Sequence, residues 1–247
     1  MPYRSRRSGC HHPFTRRHVF AIAAAGLAVT ALPISATGAT SDVVATDEEP
    51  HHHVIFQNGV IRLMRVLIPA GKATLWHEHT RDYAVTVIGG STVRTESRED
   101  GSSKDGEMTT GSVIYGAYQD KDAIRRITNT GPDLLHQIAF ELLRPSAGDF
   151  GKADRSEASM FALVLDEQRL KAWHLMLEPG ASTPIYRQDG PGVRVVLSGQ
   201  RIIETKPGEI GHEAVVQAGD AAFTLPATRV LTNAGPTRLS VIEFELR

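Results

Sequence analysis

The sequence holds one cysteine, Cys10, among 247 residues. That excludes an intramolecular disulfide and any zinc cluster built from cysteines. Charge of one sign is equally scarce in excess: 27 Lys and Arg stand against 28 Asp and Glu. With no basic face implied, nucleic acid is not an expected partner. The apolar run Val19–Leu32 is shorter than the ~20 residues a membrane-spanning helix needs, so no membrane partner is expected once the leader is removed. Beyond the first forty residues no long stretch follows a 3.6-residue period, which argues against a helical body. A nucleophilic triad, a phosphate-cradling glycine loop and a convincing pair of acid/base carboxylates are all missing as well.

What is present begins with a leader. Arg4, Arg6, Arg7, Arg16 and Arg17 precede any acid, then comes "VFAIAAAGLAVTAL" and then the small residues "PISATGATS". A basic region, an apolar region and a small-residue cleavage zone, in that order, form an export signal. "TRRHVF" resembles a twin-arginine motif with its Phe one place late, so twin-arginine and ordinary secretory export both stay open. Cleavage is expected near Ala39, leaving a mature protein without cysteine in a bacterial periplasm or outside the cell.

The remainder repeats itself. "TNTGPDLLHQIAFEL" from Thr128 matches "TNAGPTRLSVIEFEL" from Thr232, "LIPAG" ending at Gly71 matches "LEPG" ending at Gly180, and Gly90 matches Gly199. The offset stays between about 104 and 109 residues, too long for a solenoid and suited to a duplicated domain. The expected organisation is an export signal over residues 1–39, a first copy over 51–143, a polar linker over 144–158 and a second copy over 159–247. Each copy is a series of short runs rich in Val, Ile, Thr and Tyr, separated by Gly-containing turns. That pattern predicts an all-β sandwich, jelly roll or barrel.

Within the first copy, "GKATLWHEHTRDYAVTVIGG" carries two histidines one residue apart. Side chains two apart on a strand share a face. His77 and His79 therefore point together, with Tyr83 on the same side if the strand stays regular, while Glu78 and Asp82 point away. Two adjacent imidazoles supply half of a metal site.

The stretch resembles the first cupin motif: glycine, five residues, His-x-His, three or four residues, Glu, six residues, glycine. Here Gly71, His77, His79, Tyr83 and Gly90 fill those places, with Tyr83 where the family carries glutamate. "AIRRITNTG" resembles the end of the second cupin motif, with Asn129 in place and Arg125 at the histidine four residues before it. In the second copy the same mapping gives Tyr186, Gln188 and Gly192, then Arg229 and Asn233. The resemblance covers both copies and implies a bicupin: two tandem double-stranded β-helix barrels of the jelly-roll type, the second degenerate. It also implies a divalent Fe, Mn, Ni or Zn ion on three histidines and a glutamate, of which the first copy keeps two positions and the second none. Arginine has no lone pair for a metal. A guanidinium ~5 Å from a divalent ion would repel it by about 6–7 kcal/mol at an effective dielectric of ~20.

His136, in "LLHQIAFEL", shares a face with Leu134, Ile138 and Phe140, an apolar face expected to point into the barrel. It has two readings: a third metal ligand beside His77 and His79, or a hydrogen-bonded core histidine. The run His51–His53 reads as a surface feature, and His174 and His212 as structural. Arg125 and Arg229 either pair with local carboxylates or offer a fork to a carboxylate or phosphate. Three functions stay open. One is a barrel binding a small polar or anionic molecule through Tyr83 and Arg125, with or without a metal. The second is a metal-dependent dioxygenase, isomerase or lyase. The third is a structural or dimerisation role without a ligand. A monomer is expected as readily as a homodimer, because the chain already contains both halves of a pseudo-dimer.

Overall fold

The computed structural model describes residues 42–145, 155 and 158–247. The expected export signal and most of the expected linker lie outside the described residues.

Ten strands build the first barrel: β1 (Val43–Ala45), β2 (His52–Gln57), β3 (Ile61–Ile68), β4 (Trp76–His79), β5 (Tyr83–Gly89), β6 (Ser91–Ser97), β7 (Ser103–Met108), β8 (Val113–Gly116), β9 (Ala123–Asn129) and β10 (Leu135–Leu142). They form two five-stranded sheets, ordered β1-β4-β9-β6-β7 and β2-β3-β10-β5-β8. Nine strands build the second barrel: β11 (Phe161–Asp166), β12 (Leu170–Leu177), β13 (Tyr186–Gln188), β14 (Gly192–Ser198), β15 (Arg201–Thr205), β16 (His212–Val215), β17 (Ala221–Thr224), β18 (Ala227–Asn233) and β19 (Leu239–Leu246). Their sheets are ordered β11-β12-β19-β14-β17 and β13-β18-β15-β16. Strand for strand the second barrel repeats β2 to β10; β1 is an addition, paired in parallel with β4.

The shared "TN-x-GP" segments show why the repeat is retained in the chain's local structure. Asn129 ends β9, and its amide donates to the carbonyls of Ile68 (2.8 Å) and Asp133 (2.7 Å). Its oxygen accepts from Gly131 N–H (3.1 Å) and the Ser91 hydroxyl (2.7 Å). Asn233 does the same with Leu177, Thr237 and Gly235. One buried amide therefore ties the end of β3 to the turn over Gly131–Asp133. A side chain on Gly131 would stand 2.3 Å from the Ser91 hydroxyl oxygen, which is why glycine follows. The matched turns at Gly71 (φ 71°) and Gly180 (φ 75°) use the left-handed backbone that glycine adopts without penalty.

The central strands of the sheets β2-β3-β10-β5-β8 and β11-β12-β19-β14-β17, β10 and β19, are buried on both faces. Leu63, Ala84, Ile138 and Phe140 of the first barrel pack on Leu170, Val193, Ile242 and Phe244 of the second, in one apolar cluster. The matched Phe140 and Phe244 meet edge to face, centroids 4.9 Å apart, an arrangement that adds to their area burial. The alternate residues, Met64, Val66, Val85, Val87 and Ala139, line the inside of the first barrel.

That two-sided burial corrects the reading of His136. Its apolar neighbours Ile138 and Phe140 face the other barrel, not the barrel interior. His136 packs on the turn at Gly219 of the second barrel, where a Cβ would come within 2.5 Å of the imidazole. Arg65, beside it, reaches toward the same glycine's carbonyl. A face chosen for its apolar character alone was the wrong face, because a sheet between two cores is apolar on both.

Candidate functional site

Strand β4 lies antiparallel to β9 with His77 directly opposite Arg125. Both strands turn those residues inward, into a cavity of about 270 Å³ lined also by His52, His79, Tyr83 and Tyr118. Met64, Val66, Val85, Ile114 and Ile127 make its apolar walls. The structure thus brings together His77, His79, Tyr83 and Arg125 and leaves His136 out.

Two residues of the site escaped sequence reasoning. His52, the middle of the His51–His53 run, turns inward while His53 is exposed; its ring meets His77 edge on, centroids 4.9 Å apart. The period of two along a strand was the available signal, since only alternate members of such a run can face out. Tyr118 comes from the loop after β8 and has no motif to betray it. Asp82, the residue expected to point away, fixes that loop. Its carboxylate accepts from the backbone N–H of Tyr118 (2.8 Å) and Gln119 (2.9 Å), the Tyr115 hydroxyl (2.9 Å) and Arg169 (2.8 Å). Burial opposes the charge on Asp82, but these donors hold its carboxyl below the usual range.

The three imidazoles are neutral near pH 7. Burial lowers His52 and His77 to about 4 and His79 to about 3, and Arg125 adds its repulsion at His79. His52 donates Nδ1–H to the Thr46 carbonyl (2.7 Å) and His77 to that of Leu75 (3.0 Å). A carbonyl only accepts, so both rings carry the proton on Nδ1 and leave Nε2 as an acceptor. Among the described residues His79 Nδ1 is buried without a hydrogen-bond partner. The rings of His79, Tyr83 and Tyr118 cluster near parallel, with centroids 4.7 to 5.5 Å apart. Burial raises the Tyr83 phenol above its ordinary value, so it stays protonated.

Arg125 is the unusual member. Among the described residues its Nε is buried with no acceptor, and no carboxylate oxygen lies within ion-pair distance of it. Its guanidinium rests instead against the Tyr118 ring, 5.6 Å from the centroid. Glu141 is the carboxylate that lines the cavity, and it is taken by Arg62 at 2.6 Å.

The residues do not fit the metal that the cupin resemblance implies. Arg125 occupies the ladder position opposite His77 where a ligand would be needed, and Tyr83 offers a protonated phenol in place of a carboxylate. Among the described residues no group of three or more His, Cys, Asp or Glu side chains is arranged to hold a metal ion.

The second barrel carries the same frame with other contents. Tyr186 stands opposite Arg229 as His77 does opposite Arg125. Arg229, however, is bonded to the Leu225 carbonyl (2.7 Å) and to Glu204 (3.4 Å). Glu204 and Glu243 hold Arg194 between them. A wider cleft of about 500 Å³ opens elsewhere in this barrel, edged by the exposed Ile210, and its floor charges, Arg194 and Glu204, are already paired.

A scan against protein-family models finds no match, and neither does a search of curated proteins. Solved structures do match. AerE from Microcystis aeruginosa aligns with a TM-score of 0.56 at 8% identity, over 81% of this chain and 98% of its own. Oxalate decarboxylase from Lactobacillus farciminis, in a formate complex, aligns at 0.55 and 11%, over 76% of this chain and 77% of its own. Salicylate 1,2-dioxygenase from Pseudaminobacter salicylatoxidans aligns at 0.52 and 13%, over 78% and 75%. The chain has the bicupin fold that these likenesses share.

Proposed function

We propose that the chain is an exported bicupin-fold protein whose first barrel binds a small organic monoanion, with the ligand's carboxylate on Arg125. The single observation that carries this is the contrast between the matched arginines: Arg229 has its carboxylate within the chain, and Arg125 has none among the described residues. A guanidinium turned into an apolar cavity is costly until an anion joins it. The neutral Nε2 acceptor on His77 and the Nδ1 of His79, unsatisfied among the described residues, supply hydrogen bonds to further polar atoms of the ligand. The walls of Met64, Val85, Ile114 and Ile127 take an apolar body. Oxalate and salicylate, named for two of the proteins with this fold, are small carboxylates, but at 11% and 13% identity those likenesses speak to the fold, and the reading rests on Arg125.

Thermal shift and calorimetry with a series of monocarboxylates from propionate to benzoate, each beside its neutral amide, test the proposal. Acids are expected to bind and amides not. Arg125→Gln should weaken acid binding by roughly tenfold to 150-fold, the worth of one charged hydrogen-bond set. Equal binding of acid and amide, or no acid binding at all, contradicts it.

A further inference from the structure

We propose that the second barrel is a binding site for planar, forked cations, guanidinium or amidinium, and that its resident ligand is the chain's own Arg155. The described residues hold this side chain at both terminal nitrogens and along its face. Arg155 is fully buried. Its Nη1 donates to Glu243 at 2.8 Å and its Nη2 to Glu245 at 3.1 Å, so two carboxylates from alternate positions of β19 receive the two prongs of the fork. The face of the guanidinium lies 4.2 Å from the Trp173 ring centroid, 4.9 Å from that of Tyr186 and 5.7 Å from that of Phe161. Aromatic rings with buried carboxylates behind them are the chemistry that recognises a desolvated organic cation.

The cage is a property of the second barrel alone. At the matched places the first barrel has Met64 for Trp173, His77 for Tyr186, His52 for Phe161 and Ala139 for Glu243. The two carboxylates differ in the partners they keep when the site is vacated. Glu243 retains Arg194 and the Tyr186 hydroxyl. Among the described residues Glu245 retains only the backbone N–H groups of Asp189 (2.9 Å) and Gly190 (3.0 Å). A hole lined by aromatic faces and an uncompensated carboxylate would then await a cation.

Shape selects which cation. Among the described residues Arg155 Nε is buried with no acceptor, so the described part of the site reads the two terminal NH₂ groups and not the third N–H. An amidinium, which has the same two NH₂ groups and no Nε, should fit as well as a guanidinium. A tetrahedral ammonium satisfies neither the fork nor the flat contact with Trp173.

Arg155→Ala tests this in the full mature chain. The thermal midpoint should fall by roughly 6–20 °C, the loss expected for a buried ion-pair partner in a chain of this size. Millimolar methylguanidinium or acetamidinium should restore it and should bind with one-to-one stoichiometry by calorimetry, while methylammonium does neither and wild type responds to none of the three. If Arg155→Ala folds only when methylguanidinium is present during refolding, that too supports the site. If it does not fold at all, Arg155→Lys decides: a clearly lowered midpoint supports recognition of the fork, and an unchanged one overturns it. Rescue by methylammonium equal to that by methylguanidinium, or an Arg155→Ala midpoint equal to wild type, also overturns the proposal.

Discussion

At matched positions the two barrels hold opposite solutions to the same geometry. The first places His52, His77, His79 and one arginine without a carboxylate around a cavity. The second places Phe161, Tyr186, Gln188 and an arginine bonded to Glu204, and fills its interior with Arg155, Arg194, Glu243 and Glu245. A buried charge must be paired or it destabilises. The second barrel meets that requirement from within the chain, and the first leaves it to something else. That contrast between two equivalent interiors is what the proposed anion site rests on.

The largest expected difference concerns acid. His52, His77 and His79 have folded-state values of about 4, 4 and 3, below the ~6.5 of a histidine in the unfolded chain. As pH falls below ~6.5 the unfolded state takes up protons first, so the stability given by these neutral rings is complete above that pH and is lost as pH falls toward about 4. The loss is at most about 1.4 kcal/mol per pH unit for each ring. Urea unfolding at a series of pH values should show this slope, and His52→Phe, which installs the second barrel's residue, should remove one ring's share of it. An unchanged slope in His52→Phe would show that His52 is not held neutral by burial.

A smaller effect separates the matched arginines. Arg229→Gln deprives Glu204 of a buried partner and should cost about 1–3 kcal/mol. Arg125→Gln removes a charge that nothing pairs, so the ligand-free chain should lose less than about 0.5 kcal/mol or gain stability. Denaturant midpoints of the two variants check the contrast; equal losses would mean that Arg125 has an internal partner.

The smallest effect lies at the mouth. Asp82→Asn exchanges an acceptor for a donor against the N–H groups of Tyr118 and Gln119. It should loosen Tyr118 and weaken monocarboxylate binding by roughly 2- to 12-fold, read as a change in Kd.

Much of this was legible in the sequence. The two "TN-x-GP" segments and their constant offset disclosed the duplication because a buried asparagine amide and a side-chain-free glycine are needed twice for one turn. The His-x-His spacing and Arg125 located the cavity, since ladder register follows strand period. His52 was hidden inside a polyhistidine run that composition reads as surface. His136 was misplaced because the sheet between two barrels is apolar on both faces, so periodicity gave the alternation without saying which side was the cavity. Arg155 sat in a polar stretch read as linker, and no local pattern reveals that one of its charges is buried in a cage assembled from strands β11, β12, β13 and β19.

The central claim, that the first barrel's arginine awaits an external anion, is tested most directly by giving it an internal one. Thr95 lines the first cavity at the place where the second barrel has Glu204. In Thr95→Glu the new carboxylate should pair with Arg125 as Glu204 does with Arg229. Calorimetric titration with whichever monocarboxylate binds wild type should then show affinity reduced at least tenfold, about 1.4 kcal/mol. Undiminished affinity in a folded Thr95→Glu protein would contradict the claim.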